Sequence, residues 1–241
     1  MAVLRPRGKR LEMVELDACR LRLTAGNWDY APRHADAIAE NWRTACAAND
    51  KLFNGDVFIV VEWRLAAGNL EASVVQTKFA AYLHWRETGF RDGGYDEAFA
   101  TTAVLASDGG MLVARAVDGT LNEGHYVSPG GLIDRRDVGA DGLLDPAGAA
   151  VRELAEETGL SLSIATRRPG YLLARDAPYL AIASIFDVAA TSDELLARVE
   201  EFITGQDEPE LLEPMIIRRG RELDRLPLTT PARLIGAHLL D

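Results

Sequence analysis

The stretch Arg152-Glu153-Leu154-Ala155-Glu156-Glu157-Thr158-Gly159-Leu160 constrains this chain more than any other. Read as a helix, its turn of 3.6 residues sets Glu153, Glu156 and Glu157 at i, i+3 and i+4 on one face. Like charges at those spacings disfavour a helix by roughly 0.2–0.5 kcal/mol per pair, and Arg152, four residues before Glu156, offsets only part of that. A hard divalent cation resolves the conflict, because Mg²⁺ takes carboxylate oxygens and keeps water positions open to a phosphate. Local signals frame the helix. Asp145-Pro146 reads as an N-cap followed by proline at the first helical position, and Gly159 supplies a left-handed exit. Ala149, Ala150 and Leu154 give it a small apolar side for packing.

Upstream lies Ser128-Pro129-Gly130-Gly131, a loop whose backbone can approach a ligand or metal without Cβ interference. A Glu-rich helix taken alone is usually just a solvated face. The conjunction of glycine loop, capped helix, Arg-Glu then Glu-Glu, and a Thr-Gly-Leu exit favours a site instead.

These residues resemble the signature of the Nudix hydrolases, GX5EX7REUXEEXGU, where U is aliphatic. The half from Arg152 to Leu160 matches throughout, and the opening Pro-Gly-Gly is present. The middle departs: Gly131 and Arg152 are 21 positions apart, seven more than the motif has, and Leu144 stands where a glutamate is expected. The insert within residues 132–144 carries Asp134, Asp137 and Asp141, and the sequence leaves open whether one of them replaces that glutamate. The resemblance implies an α+β fold, a Nudix-type α/β/α sandwich with a mixed sheet. It implies hydrolysis of a phosphoanhydride assisted by Mg²⁺, with Mn²⁺ as substitute. Glu156 and Glu157 would be metal ligands, Glu153 ligand or base, and Arg152 the group orienting the cluster. The Gly130 carbonyl would add an oxygen to the metal, and Gly130 and Gly131 would contact substrate. In the family a further acid often precedes a late strand, and here Glu210 or Glu213 fits.

The expected organisation is an N-terminal α/β extension over residues 1–95 and a catalytic domain over 96–241. In the first part, Leu11, Val14, Leu16, Leu21 and Leu23 suggest short strands. Periodicity predicts a helix over 32–48 with Trp42 as a packing residue, a hairpin of 57–63 with 71–77, and a helix over 78–87. After a glycine-rich link at 89–97, residues 101–106 and 111–116 flank Ser107-Asp108-Gly109-Gly110 as a hairpin. Strands are expected at 161–164, 170–174, 180–188 and 215–217, and helices at 193–204, 220–226 and 230–239. Arg167, Arg168 and Arg175 are candidates for clamping a phosphate, with surface solvation favoured for at least two of them. Asn54-Gly55 before a strand is similar to the N-terminal extension of a Nudix branch that includes animal hydrolases of UDP-glucose-like substrates. That likeness implies a nucleoside-diphosphate sugar as substrate, with Asn54 and Phe53 as contacts. ADP-ribose, dinucleotides or coenzyme A are alternatives, as is a catalytically silent module that binds a ligand or protein.

The net charge of −11 repels a polyphosphate backbone, so a nucleic-acid polymer is not an expected partner, whereas bound cations would admit a small nucleotide. No run approaches eighteen apolar residues, so no membrane span is expected. Cys19 and Cys46 lack a CxxC or metal-ligand neighbour, which favours two thiols in a reducing compartment. The basic start, with Arg5, Arg7, Lys9 and Arg10, lacks the apolar continuation of a secretory signal, and the expected location is cytoplasmic. Nudix domains often pair, and a homodimer is compatible with these features.

Overall fold

The computed structural model describes residues 12–240, so Leu11 and the basic start lie outside the described residues. Alternating apolar and charged residues form β1 (Glu12–Leu16) and β2 (Ala18–Leu23), followed by helices α1 (Tyr30–Arg33) and α2 (Ala35–Ala48). The β-branched run after Gly55 makes β3 (Asp56–Ala66), which turns at Gly68 into β4 (Asn69–Lys78) and helix α3 (Phe79–Glu87). Next come β5 (Asp96–Leu105), β6 (Met111–Ala116), β7 (Tyr126–Val127) and β8 (Gly130–Leu132). A 3-10 turn (Arg135–Asp137) and β9 (Leu143–Leu144) lead to α4 (Pro146–Thr158). Then follow β10 (Ala165–Arg167), β11 (Tyr171–Asp176), β12 (Tyr179–Val188), α5 (Ser192–Thr204) and β13 (Leu211–Ile217). A second 3-10 turn (Gly220–Arg225) precedes α6 (Thr230–Leu239).

The strands form one mixed sheet in the order β1-β11-β12-β5-β3-β4-β2-β9, with β6 and β8 also paired to β5. β5 runs parallel to β12 from Tyr179↔Glu97 to Asp187↔Leu105. Its alternating residues divide the interior. Ala98, Ala100 and Val104 pack with Ala149, Ala150 and Leu154 of α4 and Leu195 and Val199 of α5. Ala103 and Leu105 pack on the other side with Ala232 and Ile235 of α6. The result is the expected α/β/α sandwich, and alanines facing alanines let α4 lie close against the sheet.

The N-terminal part shares this sheet, since β3 continues it at Ile59↔Glu97 and Val60↔Asp96. Its own core is aromatic: Trp28 stacks on Tyr30 at 4.7 Å and meets Trp85 edge-on at 5.3 Å. Trp42 packs edge-on against Phe79, although no residue of α2 is fully buried.

The strand expected at 161–164 is instead a turn. Ser161 and Ser163 hydrogen-bond to each other, and the Ser161 carbonyl accepts from the N–H groups of Ile164 and Ala165, a local closure that serine favours over extended pairing. Helix α5 is capped by Thr191, which exchanges bonds with Glu194, so it begins at Ser192, one residue before the expected start. The expected helix at 220–226 is the second 3-10 turn.

Helix α4 obeys its local sequence. The Asp145 carboxylate accepts from Ala147 N–H at 3.1 Å and Gly148 N–H at 3.0 Å, Pro146 opens the helix, and Gly159 leaves it at φ 69°. A Cβ on Gly148 would lie 2.5 Å from that carboxylate, so glycine makes room for the cap. Asp145→Ala is expected to lower unfolding free energy by about 1 kcal/mol in urea titration, with Asp145→Gly losing less. Equal stability of wild type and the alanine variant would show that the cap contributes nothing.

Candidate active site

The double-glycine turn is built against β5. Thr101 and Thr102 hydroxyls both donate to the Pro129 carbonyl, and Gly130 and Gly131 pair with Thr101 and Ala100. A Cβ on Gly130 would sit 2.5 Å from the Ala100 carbonyl oxygen and the Thr101 Cα, both backbone atoms that cannot yield. On Gly131 it would come within 2.8 Å of the Glu153 carboxylate. The two glycines therefore do different work: Gly130 lets the strand close, and Gly131 leaves space for an acid of α4.

The carboxylate face of α4 is not uniformly solvated, contrary to the pattern of charged residues in sequence. Glu153 and Glu157 are 8 % and 7 % exposed, whereas Glu156 is open to solvent. Glu157 accepts the Gly130 N–H at 2.7 Å. Burial, first, and the nearby Glu153, second, push its carboxyl well above the ordinary range, and Glu210 and Glu156 add to this. Glu153 is raised by burial and lowered by Arg152, with Glu156 and Glu210 again opposing ionisation. Two buried acids close together, with the charges of Glu156 and Glu210 opposing the ionisation of both, make the surroundings of the turn electronegative.

Arg152 organises these acids. Its Nη1 donates to Glu153 Oε1 at 2.5 Å and Glu156 Oε2 at 3.3 Å, and its Nη2 donates to Asp137 Oδ2 at 3.0 Å. Burial works against its charge, but the Asp137 bond and the fields of Glu153 and Asp137 outweigh burial and hold the proton more firmly than usual. Asp137, buried in the insert, also accepts the Asp134 N–H. Asp134 turns to Arg136, and Asp141 accepts the Leu143 N–H. Of the three insert acids, Asp137 makes the close contact to Arg152, with Asp134 at 3.8 Å.

The two late acids separate. The field of Glu210 reaches both Glu153 and Glu157, and the loop carrying it is tied to α4 by Gln206 Nε2 donating to the Glu156 carbonyl at 3.0 Å. Glu213 sits at φ 48° in a bulge of β13 and faces Arg115 at 3.0 Å and Tyr126 at 3.4 Å. Strand β13 also begins at Leu211, earlier than the expected 215. Asn54 accepts the Ala80 N–H at the start of α3, whereas Phe53 projects 82 % exposed. Lys51 reaches Glu208 at 2.6 Å, which links the Phe53 loop to the loop of Glu210. None of the three arginines considered as clamps is merely solvated: Arg168 grips Asp187 through two bonds, Arg167 donates to Gly170 and Ser184, and Arg175 is buried beneath Trp63. Cys19 and Cys46 are free thiols.

The acids suit a divalent ion in donor type and in charge, since hard oxygens that raise one another's pKa are what a cation would relieve. Among the described residues, no three His, Cys, Asp or Glu side chains converge on one metal position as placed. Glu156 turns instead to Arg152 and Arg136. From Gly130 the contact to the cluster is its N–H, not its carbonyl. A cavity of about 450 Å³ lies elsewhere, between Arg20, Arg22, Trp63, Arg64 and Glu71 on the sheet face of β2 to β4. No described helix is long and apolar enough to cross a membrane.

Residues 96–213 match the profile of the NUDIX domain. Among solved structures, the chain is similar to a Nudix hydrolase from M. smegmatis, RenU, at 16% identity over 61% of this chain and 87% of that one, with TM-score 0.41. It is also similar to the MutT protein from Methanosarcina mazei Go1, at 16% identity over 59% and 91% of the two chains, with TM-score 0.38. DR0079 from Deinococcus radiodurans aligns at 15% identity over 57% and 80%, with TM-score 0.41. No curated protein matches the chain in sequence.

Proposed function

We propose, from the premise that this chain belongs to the Nudix family through residues 96–213 and is a pyrophosphohydrolase of that family, that it cleaves the diphosphate of a nucleoside-diphosphate sugar of the UDP-glucose type. Water is added across the P–O–P bridge, giving a nucleoside monophosphate and a sugar phosphate. The observation that carries the reading is the pair of buried acids, Glu153 and Glu157, packed against the Gly130-Gly131 turn.

Nudix hydrolases generally use divalent metal ions, and Mg²⁺ is our choice here, with Mn²⁺ able to substitute. When bound, such an ion neutralises diphosphate charge and makes water a better nucleophile. Glu156 and Glu157 would hold it and Glu153 would serve as ligand or base, with Arg152 fixing the direction of Glu153. Glu210 would be the acid that accepts a proton there, since Glu213 is engaged by Arg115. The Gly130-Gly131 turn would meet the diphosphate. Residues 1–95 would cover the substrate, and the exposed Phe53 ring is the group there suited to stack on a base or sugar. Asn54, engaged with Ala80, would shape that loop rather than touch the ligand.

A second reading, a Nudix-like module that binds without turnover, has one observation in its favour: the acids do not converge as placed. Incubating UDP-glucose, ADP-ribose, a dinucleotide and coenzyme A with Mg²⁺ or Mn²⁺ separates the readings. Metal-dependent release of UMP, fastest from UDP-glucose and at least about ten-fold slower in Glu156→Gln, is expected. Binding of a nucleotide with no product from any compound would establish the silent module, and a different preferred compound would replace the sugar assignment.

A further inference from the structure

The insert lengthens the segment between the glycine turn and Arg152 and leaves Leu144 where an acid is expected. Leu144 is 4 % exposed, pairs with Leu21 across β9 and β2, and belongs to the main apolar core. It cannot present a carboxylate, and restoring one there would bury a charge among aliphatic side chains. The same insert folds back on itself. The Asp137 carbonyl accepts the Asp145 N–H at 2.8 Å, tying the 3-10 turn to the cap of α4. Asp137 Oδ2 then receives both the Asp134 N–H at 2.9 Å and Arg152 Nη2 at 3.0 Å. The guanidinium is thus fixed at two points, Asp137 on one nitrogen and Glu153 on the other.

We infer that Asp137 is a positioning residue for the hydrolytic site, an acid supplied by the insert that locks the Arg152 fork so that Arg152 holds Glu153 in place. A planar fork gripped through separate nitrogens cannot rotate without breaking both bonds, which is why an arginine transmits position better than a lysine would. Asp137 itself touches neither Glu156 nor Glu157. The inference rests on the hydrolase reading for its functional consequence, but its geometry is independent of that reading.

Asp137→Asn keeps an oxygen for the Asp134 N–H while removing the charge that faces Arg152. It is expected to lower kcat and weaken Mn²⁺ binding, measured by water proton relaxation, by about 10- to 100-fold each, the usual range for groups behind metal ligands. KM for the diphosphate substrate should stay within about two-fold, since no substrate contact is removed. Combined with Arg152→Ala, the asparagine should add less than about a two-fold further loss, because its effect runs through the guanidinium. In metal-free buffer the thermal midpoints of the same four proteins should be non-additive, which tests the coupling without any activity. Wild-type kcat and Mn²⁺ affinity in Asp137→Asn, or losses that multiply in the double variant, would overturn the assignment. A wild type inert toward every diphosphate would defeat the hydrolase reading, and additive midpoints in metal-free buffer would defeat the coupling by themselves.

Discussion

Glu157→Gln is expected to abolish most turnover, by about 10²- to 10⁴-fold, the span seen when a group managing protons or charge at a reacting centre is lost. It should do so without unfolding the protein. Glutamine matches glutamate in size and can still accept the Gly130 N–H through its carbonyl oxygen. What it removes is the ability of a group 7 % exposed to ionise, which burial and the nearby Glu153 oppose. In metal-free buffer ionising that group opposes folding, because its folded pKa lies above the unfolded one, so the variant should be as stable as wild type at pH 7 or more so. Added Mn²⁺ should then raise the unfolding midpoint of wild type and have little effect on the variant, because ligand stabilisation requires binding to the folded state. Two measurements suffice: kcat with a diphosphate substrate, and denaturation with and without Mn²⁺. Undiminished kcat would remove Glu157, and with it the proposed ion, from the mechanism.

That prediction differs from what a helical projection of residues 152–160 suggests, and the difference marks where sequence stops being informative. The helix, its cap at Asp145 and its exit at Gly159 are encoded within fifteen residues, so local rules place them well. Which glutamates are buried depends on β5 and β8, more than twenty residues away, where Ala100 and Gly131 leave α4 room to approach. Spacing alone cannot distinguish Glu156, open to solvent, from Glu157, pressed against the turn. Glu210 and Glu213 look equivalent in an acidic run, and a bulge in β13 sends them to different neighbours. Asp137 could be named as one of three acids in the insert but not chosen, because the choice is made by a 3-10 turn that no periodicity announces. Asn54 shows the converse: a polar residue beside a glycine reads as a ligand contact, and its side chain is engaged by the first turn of α3.

A larger effect on stability comes from a residue the sequence did not single out. Glu97 begins the parallel pairing of β5 with β12, and its side chain meets α3 of the N-terminal part: Tyr82 donates to Glu97 Oε2 at 2.6 Å. At 4 % exposure, burial drives its carboxyl up to about 7, while the Tyr82 bond and the Arg86 charge restrain the rise. The folded value exceeds the unfolded one, so the folded state keeps the proton longer. Stability from this group is therefore complete below about pH 4.5 and is lost as pH rises towards 7. The interval between 4.5 and about 7 corresponds to on the order of 3 kcal/mol. Glu97→Gln keeps an acceptor for Tyr82 and cannot ionise. In urea titrations from pH 4.5 to 7.5 without metal, the variant should gain on wild type progressively, by about that amount at the upper end. The difference between the two proteins cancels the titration of every other carboxylate, including Glu153 and Glu157. A gap independent of pH would mean that Glu97 ionises in the folded protein as it does in the unfolded chain, and that the contact between α3 and β5 does not depend on its proton.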